Sequence, residues 1–197
     1  MTSSPTGPAA QPPRRRYPLA ALAARWPTLV ALGSAALSIS GDGDPASEIN
    51  ALAETMIILP LLYLIVAKLN RPRLSWPLLG MSLVTIVTLR LLDLAPPSAV
   101  LGAVAAAVLL WGAAGGQLSK AGEFRTQALG MLGFGALALA GLLAAPEAAR
   151  YLVAAGWLLH GAWDFAHLRR GKVVARSYAE WCGVVDVLIG LNLLVSA

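Results

Sequence analysis

Charge is what this sequence has least of. Only 13% of its 197 residues are Asp, Glu, Lys or Arg, against ~25% in an ordinary soluble domain. That shortage excludes a water-facing surface for most of the chain. One cysteine, Cys182, excludes an intrachain disulfide and a cysteine-rich zinc module. There is no G-x-S-x-G elbow, phosphate-binding Walker loop, dinucleotide fingerprint or C-x-x-C-H haem attachment. No internal repeat is visible, which argues against a transporter built from duplicated halves. The two histidines, His160 and His167, lie seven apart in one segment, so they cannot grip one haem iron from opposite sides.

What the sequence has in abundance is long apolar runs. Residues of hydrophobic type make up 57%, with a mean hydropathy of +0.68. Residues 1–16, rich in Pro and closing on Arg14, Arg15 and Arg16, read as a disordered basic cytoplasmic tail. Residues 17–197 read as a single transmembrane domain, an all-α bundle of seven helices. The expected spans are Leu19–Ser40, Ala46–Leu69, Trp76–Leu94, Ser98–Gly116, Thr126–Ala145, Pro146–Leu168 and Arg176–Ala197. Each is close to the ~20 residues that cross a hydrocarbon core of ~30 Å.

The formal net charge of +5 could suggest nucleic acid, but the bases sit in short loops and no nucleic-acid motif occurs. Alternate connections carry Lys68, Arg71 and Arg73, then Lys120 and Arg125, then Arg169, Arg170, Lys172 and Arg176. The intervening ones carry Asp42, Asp44, Asp93 and Glu147, opposed by Arg150 alone. The positive-inside rule then predicts N-in, C-out topology in a cytoplasmic (inner) membrane, with the lipid bilayer as the expected partner. The abundance of Ala, Leu, Gly and Arg suggests a bacterial gene. Oligomeric state has no signal.

Ionisable groups at membrane depth are costly, and each is by default a candidate for function. The densest set lies in Trp157–Cys182. His160, Asp164 and His167 follow at i, i+4 and i+7 and share one helix face. On the next helix Cys182 and Asp186, four apart, share another, whereas Glu180 lies about 120° from Asp186. If the hairpin packs as its short loop suggests, His160, Asp164, His167 and Cys182 are candidate ligands for zinc or iron. Asp186 can complete the shell or, with Asp164, do acid–base work. The spacing matches no established zinc signature. The competing reading is that Asp164 bonds a neighbouring histidine and simply locks two helices.

A second set is Glu54, Arg90 and Asp93. Glu54 reads either as an ion-pair partner of Arg90 or as a buried carboxylic acid able to give a proton. Trp157 and Trp163 flank His160, and with Arg90 they are candidate pocket walls. Trp26, Trp76 and Trp181 read as interfacial anchors. Together these readings predict a membrane-embedded enzyme acting on a lipid- or isoprenoid-like substrate, by metal assistance or by acid catalysis. Two alternatives stand beside it: an accessory subunit with polar interhelical glue, and a proton-linked carrier using the acid and histidine ladder.

Overall fold

The computed structural model describes residues 23–40 and 43–195. The expected tail, the start of the first span, Asp42 and the last two residues lie outside the described residues. Among those described there are seven α-helices and no strand. They are α1 (Trp26–Ile39), α2 (Pro45–Leu69), α3 (Ser75–Leu91), α4 (Pro97–Ala114), α5 (Glu123–Leu143), α6 (Pro146–Arg170) and α7 (Arg176–Val195). A single 3₁₀ turn, Pro72–Leu74, leads into α3.

Local chemistry sets these boundaries. Pro45, Pro97 and Pro146 open α2, α4 and α6, where a missing N–H costs nothing. Asp44 caps α2 by accepting from the Ser47 N–H at 3.0 Å, and Glu48 reaches back to the Gly43 N–H at 3.1 Å. Asn70 and Gly171 end α2 and α6 in the left-handed conformation that residues with small or absent side chains tolerate best. The α6–α7 turn contains Val173 at φ 73°, unusual for a β-branched residue. Across it the Val174 N–H donates to the Lys172 carbonyl at 3.0 Å.

Five helices, α2, α3 with its leading turn, α4, α5 and α7, are long and apolar enough to cross a membrane. Two of the seven expected spans differ. Only 14 residues of the first are helical as α1 within the described chain. The sixth forms the 25-residue α6, but its charged and histidine side chains dilute its apolar content, so it is absent from that set.

Helix α2 is the axis of the bundle. Every residue from Met56 to Leu64 is buried, so it is apolar on all sides, as a surrounded helix must be. It packs against α3, α4, α5 and α6. The α6–α7 hairpin forms the most extensive helix pair, and α1 covers the far side of α7. Side chains such as Met81, Val84, Leu91, Leu110, Leu129 and Leu143 point outward, an apolar exterior of the kind lipid would cover.

One end of the bundle gathers the basic connections. Lys68 donates to Gln117 at 2.5 Å, Lys172 lies 3.7 Å from Glu123, and the Ala175 N–H donates to Ser75 Oγ at 3.2 Å. Trp26, Trp76 and Trp181, expected as interfacial anchors, form one aromatic stack near this end. Ring centroids are 5.5 Å apart for Trp26–Trp76 and 5.4 Å for Trp76–Trp181.

Candidate metal centre

The polar residues of the hairpin meet because two glycines let α6 and α7 approach. A Cβ built on Gly161 would stand 3.2 Å from Asp186 Cβ and 3.3 Å from the Gly183 carbonyl; one on Gly183 would stand 3.2 Å from Asp164 Cβ. The small residues therefore sit at the same level as the acids they bring together.

There His160, Asp164, Cys182 and Asp186 each have essentially no exposed surface. The Nδ1–H of His160 donates to Asp186 Oδ2 at 2.8 Å, with Asp164 Oδ2 at 3.3 Å from the same nitrogen. Cys182 Sγ lies 3.8 Å from Asp186 Oδ1 and 3.9 Å from the Tyr178 hydroxyl. Tyr63 of α2 donates its hydroxyl to Asp164 Oδ1 at 2.5 Å. One ligand atom from each of His160, Asp164, Cys182 and Asp186 falls within 4.8 Å of every other. Tetrahedral zinc bonds of ~2.0–2.3 Å place ligand atoms roughly 3.3–3.8 Å apart, so the group needs only small side-chain adjustments to hold a metal.

Charge and satisfaction both leave room for a bound cation. Two carboxylates face one imidazole, all three side chains buried, a charge arrangement that a bound cation would balance. His160 Nε2 and Asp164 Oδ2 are buried with no hydrogen-bond partner, as is Trp157 Nε1. These three residues line one face of α6 at spacings of three and four. Buried polar atoms are nearly always paired in folded proteins, so the unpaired acceptors at His160 Nε2 and Asp164 Oδ2 suit a cation, whereas the Trp157 N–H can only donate.

The other expected site residues lie elsewhere. His167 is held outside the group: its Nδ1–H donates to the Trp163 carbonyl at 2.9 Å, and its Nε2 accepts from the Gln127 amide at 2.9 Å. Both nitrogens are thereby used. Trp163 donates to Gln127 Oε1 at 3.3 Å and packs on Phe134, lining a shallow groove on the α5–α6 surface. Glu54 accepts from Arg90 at 2.6 Å. Neither is part of the buried group. Glu180 accepts from Thr28 at 2.6 Å and lies 3.7 Å from Arg25, fastening α1 to α7.

Three participants escaped the sequence reading. Tyr63 stands among the leucines of α2, and a buried phenol needs a partner; the lone hydroxyl in an apolar run was the available signal. Tyr178 precedes Cys182 and Asp186 at four-residue spacing on the same α7 face. Gln127 gave no pattern, since its role depends on two residues from α6.

Beside the buried group lies a cavity of about 290 Å³ between α1, α2, α3, α6 and α7. Trp157, Cys182 and Asp186 belong to its wall, which is otherwise largely apolar, with Ser34, Ser38 and Thr55 as further polar members.

Among the described residues the fold is thus all-helical, with five helices long and apolar enough to cross a membrane and a buried nitrogen, oxygen and sulfur donor set that could hold a metal. The chain belongs to the DUF6010 family, a family of unknown function, whose profile matches residues 78–197. That stretch includes all four potential ligands, whereas Glu54 and Tyr63 precede it. No curated protein matches the chain, and no solved structure does.

Proposed function

We propose that this protein is a seven-span enzyme of the cytoplasmic membrane, N-terminus inside, with a zinc or iron centre on His160, Asp164, Cys182 and Asp186. Its substrate is a lipid- or isoprenoid-like molecule. The reading is carried by one observation: the four ligand-capable side chains, all buried, cluster within 4.8 Å, and two of them stand in the wall of an apolar cavity. The donor set of one imidazole, two carboxylates and one thiol suits zinc or iron better than magnesium or calcium, which favour oxygen alone.

Each residue has a distinct task. His160 and Cys182 supply the softer donors. Asp164 is oriented by the Tyr63 hydroxyl, as carboxylate ligands commonly are by a neighbour beyond the ligand shell. Asp186, adjoining the cavity, is placed to move a proton between the site and a substrate. Bound there, the metal supplies Lewis acidity for polarising a substrate oxygen. Orientation follows from the alternation of basic and acidic connections.

A second reading has its own support. His160, Asp164, Asp186 and Tyr63 form a continuous polar network across α2, α6 and α7, which can lock helices without any metal. Elemental analysis of protein purified without chelators separates the two. About one equivalent of zinc or iron per chain, lost in His160→Ala, supports the centre. Only traces in both proteins would leave the network as glue.

A further inference from the structure

The cavity beside the centre says more about what the site receives, and this step rests on the reading of the centre just given. Its back wall is α2 and α7. Helix α1 packs on α7 and α3 packs on α2, while α1 and α3 approach through the Trp26–Trp76 stack at the basic end. Cavity residues on these two helices, Ser38 and Leu83, are themselves exposed. The mouth therefore lies between α1 and α3 and faces sideways, toward the apolar exterior of the bundle. Trp181 closes the cavity toward the basic end, donating its N–H to Ser34 at 3.3 Å.

Size restricts the occupant. At about 290 Å³ the cavity is at the lower limit of the ~300–1,000 Å³ that hold a drug-sized ligand. A two-chain phospholipid with its head does not fit; the polar end of one chain and its first carbons do. Chemistry restricts it further. Trp157 belongs to this wall, and its Nε1–H is buried with no hydrogen-bond partner, on a side chain only 2% exposed. An indole N–H can only donate, so its partner must be an acceptor.

We propose that the cavity between α1 and α3 binds, from within the membrane, the oxygen-bearing end of a single-chain lipid, an ester or ketone, with Trp157 Nε1–H donating to that oxygen. Trp157 is a positioning residue: it holds the substrate oxygen beside Asp186 and Cys182, and the chain trails out past Leu83 into the bilayer. A hydrocarbon of equal length satisfies the walls and leaves the N–H unpaired.

The probe is a decanoate methyl ester with a diazirine at its chain end, photolysed with the protein in phosphatidylcholine vesicles and mapped by mass spectrometry. Labelling is expected on α1 and α3 beside the cavity, with methyl decanoate competing roughly three- to tenfold better than dodecane, the ratio one neutral hydrogen bond gives. Trp157→Phe keeps an aromatic side chain, though a smaller one, and removes the N–H; it should bring the two competitors to near equality, whereas lost volume alone would weaken both alike. Leu83→Trp should remove the specific label. Label spread evenly over all outward helices, with no competition, overturns the site. An ester advantage that survives Trp157→Phe overturns the role of Trp157. Metal content measured on the same samples keeps the readings distinct: specific labelling of a metal-free protein defeats the centre and leaves the cavity standing.

Discussion

His160 and Asp186, on different helices and 26 positions apart, meet with Nδ1 and Oδ2 at 2.8 Å and no exposed surface on either side chain. A pair so enclosed can be broken in two ways with different consequences. Asp186→Asn retains an oxygen that accepts from His160, so folding should change by about 1 kcal/mol or less, the worth of one neutral hydrogen bond. His160→Ala leaves two carboxylates facing each other and should cost about 3–5 kcal/mol. Thermal unfolding in detergent checks both. Metal affinity should fall in Asp186→Asn by more than the ~10–100-fold typical of losing a residue behind a ligand. Full metal retention in Asp186→Asn would remove Asp186 from the ligand set.

Tyr63 tests the support around the centre. Tyr63→Phe deletes the donor to Asp164 and strips a buried carboxylate oxygen of its partner. The expected loss is about 1–3 kcal/mol of stability, with weaker metal binding because Asp164 is no longer held in place. An unchanged melting temperature together with unchanged metal affinity would mean that this contact has no supporting role.

Glu54 separates acid catalysis from structural pairing. Its side chain is 15% exposed and that of Arg90, in the last turn of α3, is 43% exposed, so where water reaches this end of the bundle the pair contributes only ~0–1 kcal/mol. Glu54→Gln should therefore leave stability and metal content nearly unchanged. Should the variant lose turnover while keeping its metal, the proton donor is Glu54 after all, and the site extends to α2.

Much of the architecture could be read from the residues alone, because it depends on local quantities. Apolar run length and proline or glycine punctuation located six of the helices to within a few residues, for example Ala46–Leu69 against Pro45–Leu69. The pairing of Cys182 and Asp186 also followed from spacing. His167 shows where such reasoning ends. It shares a face with His160 and Asp164, yet Gln127 of α5 and the carbonyl of Trp163 take both its nitrogens. Helix periodicity gives direction around one axis but not the identity of the neighbour opposite. Tyr63 was missed for the same reason, since it reaches Asp164 across 101 positions. The hydropathy of α6 could not decide whether it spans, because the groups that form the site also make the helix polar.

Topology can be checked without removing the native thiol, since Cys182 is fully buried and should not react with a membrane-impermeant maleimide. Ser119 is exposed in the α4–α5 connection and Glu147 is exposed in the first turn of α6, beside the next connection. With the N-terminus inside, Ser119→Cys should label only when the cytoplasmic face is open to reagent, and Glu147→Cys should label in intact cells. The reverse pattern would invert the protein, and equal labelling of both from outside would end the alternating arrangement.

Gly183 gives the sharpest test of whether helix approach builds the centre. An added methyl would lie 3.2 Å from Asp164 Cβ and 3.2 Å from the Phe165 ring. The phenyl ring can turn, but Asp164 Cβ is fixed to the α6 backbone, so the helices must part by a few tenths of an ångström. Overpacking of this kind costs about 1–3 kcal/mol. Gly190 lies seven residues along the same α7 surface, where a methyl would press on Leu158 and approach the Ala154 carbonyl to 3.2 Å. It faces no member of the polar group, so Gly190→Ala serves as the matched control. Both variants should lower the melting temperature, but only Gly183→Ala should lower metal affinity, because only there does the separation act on Asp164 and the residues opposite it. If the two lose affinity alike, the effect is general loosening of the bundle. If neither does, the spacing of α6 and α7 at Gly183 does not control the centre.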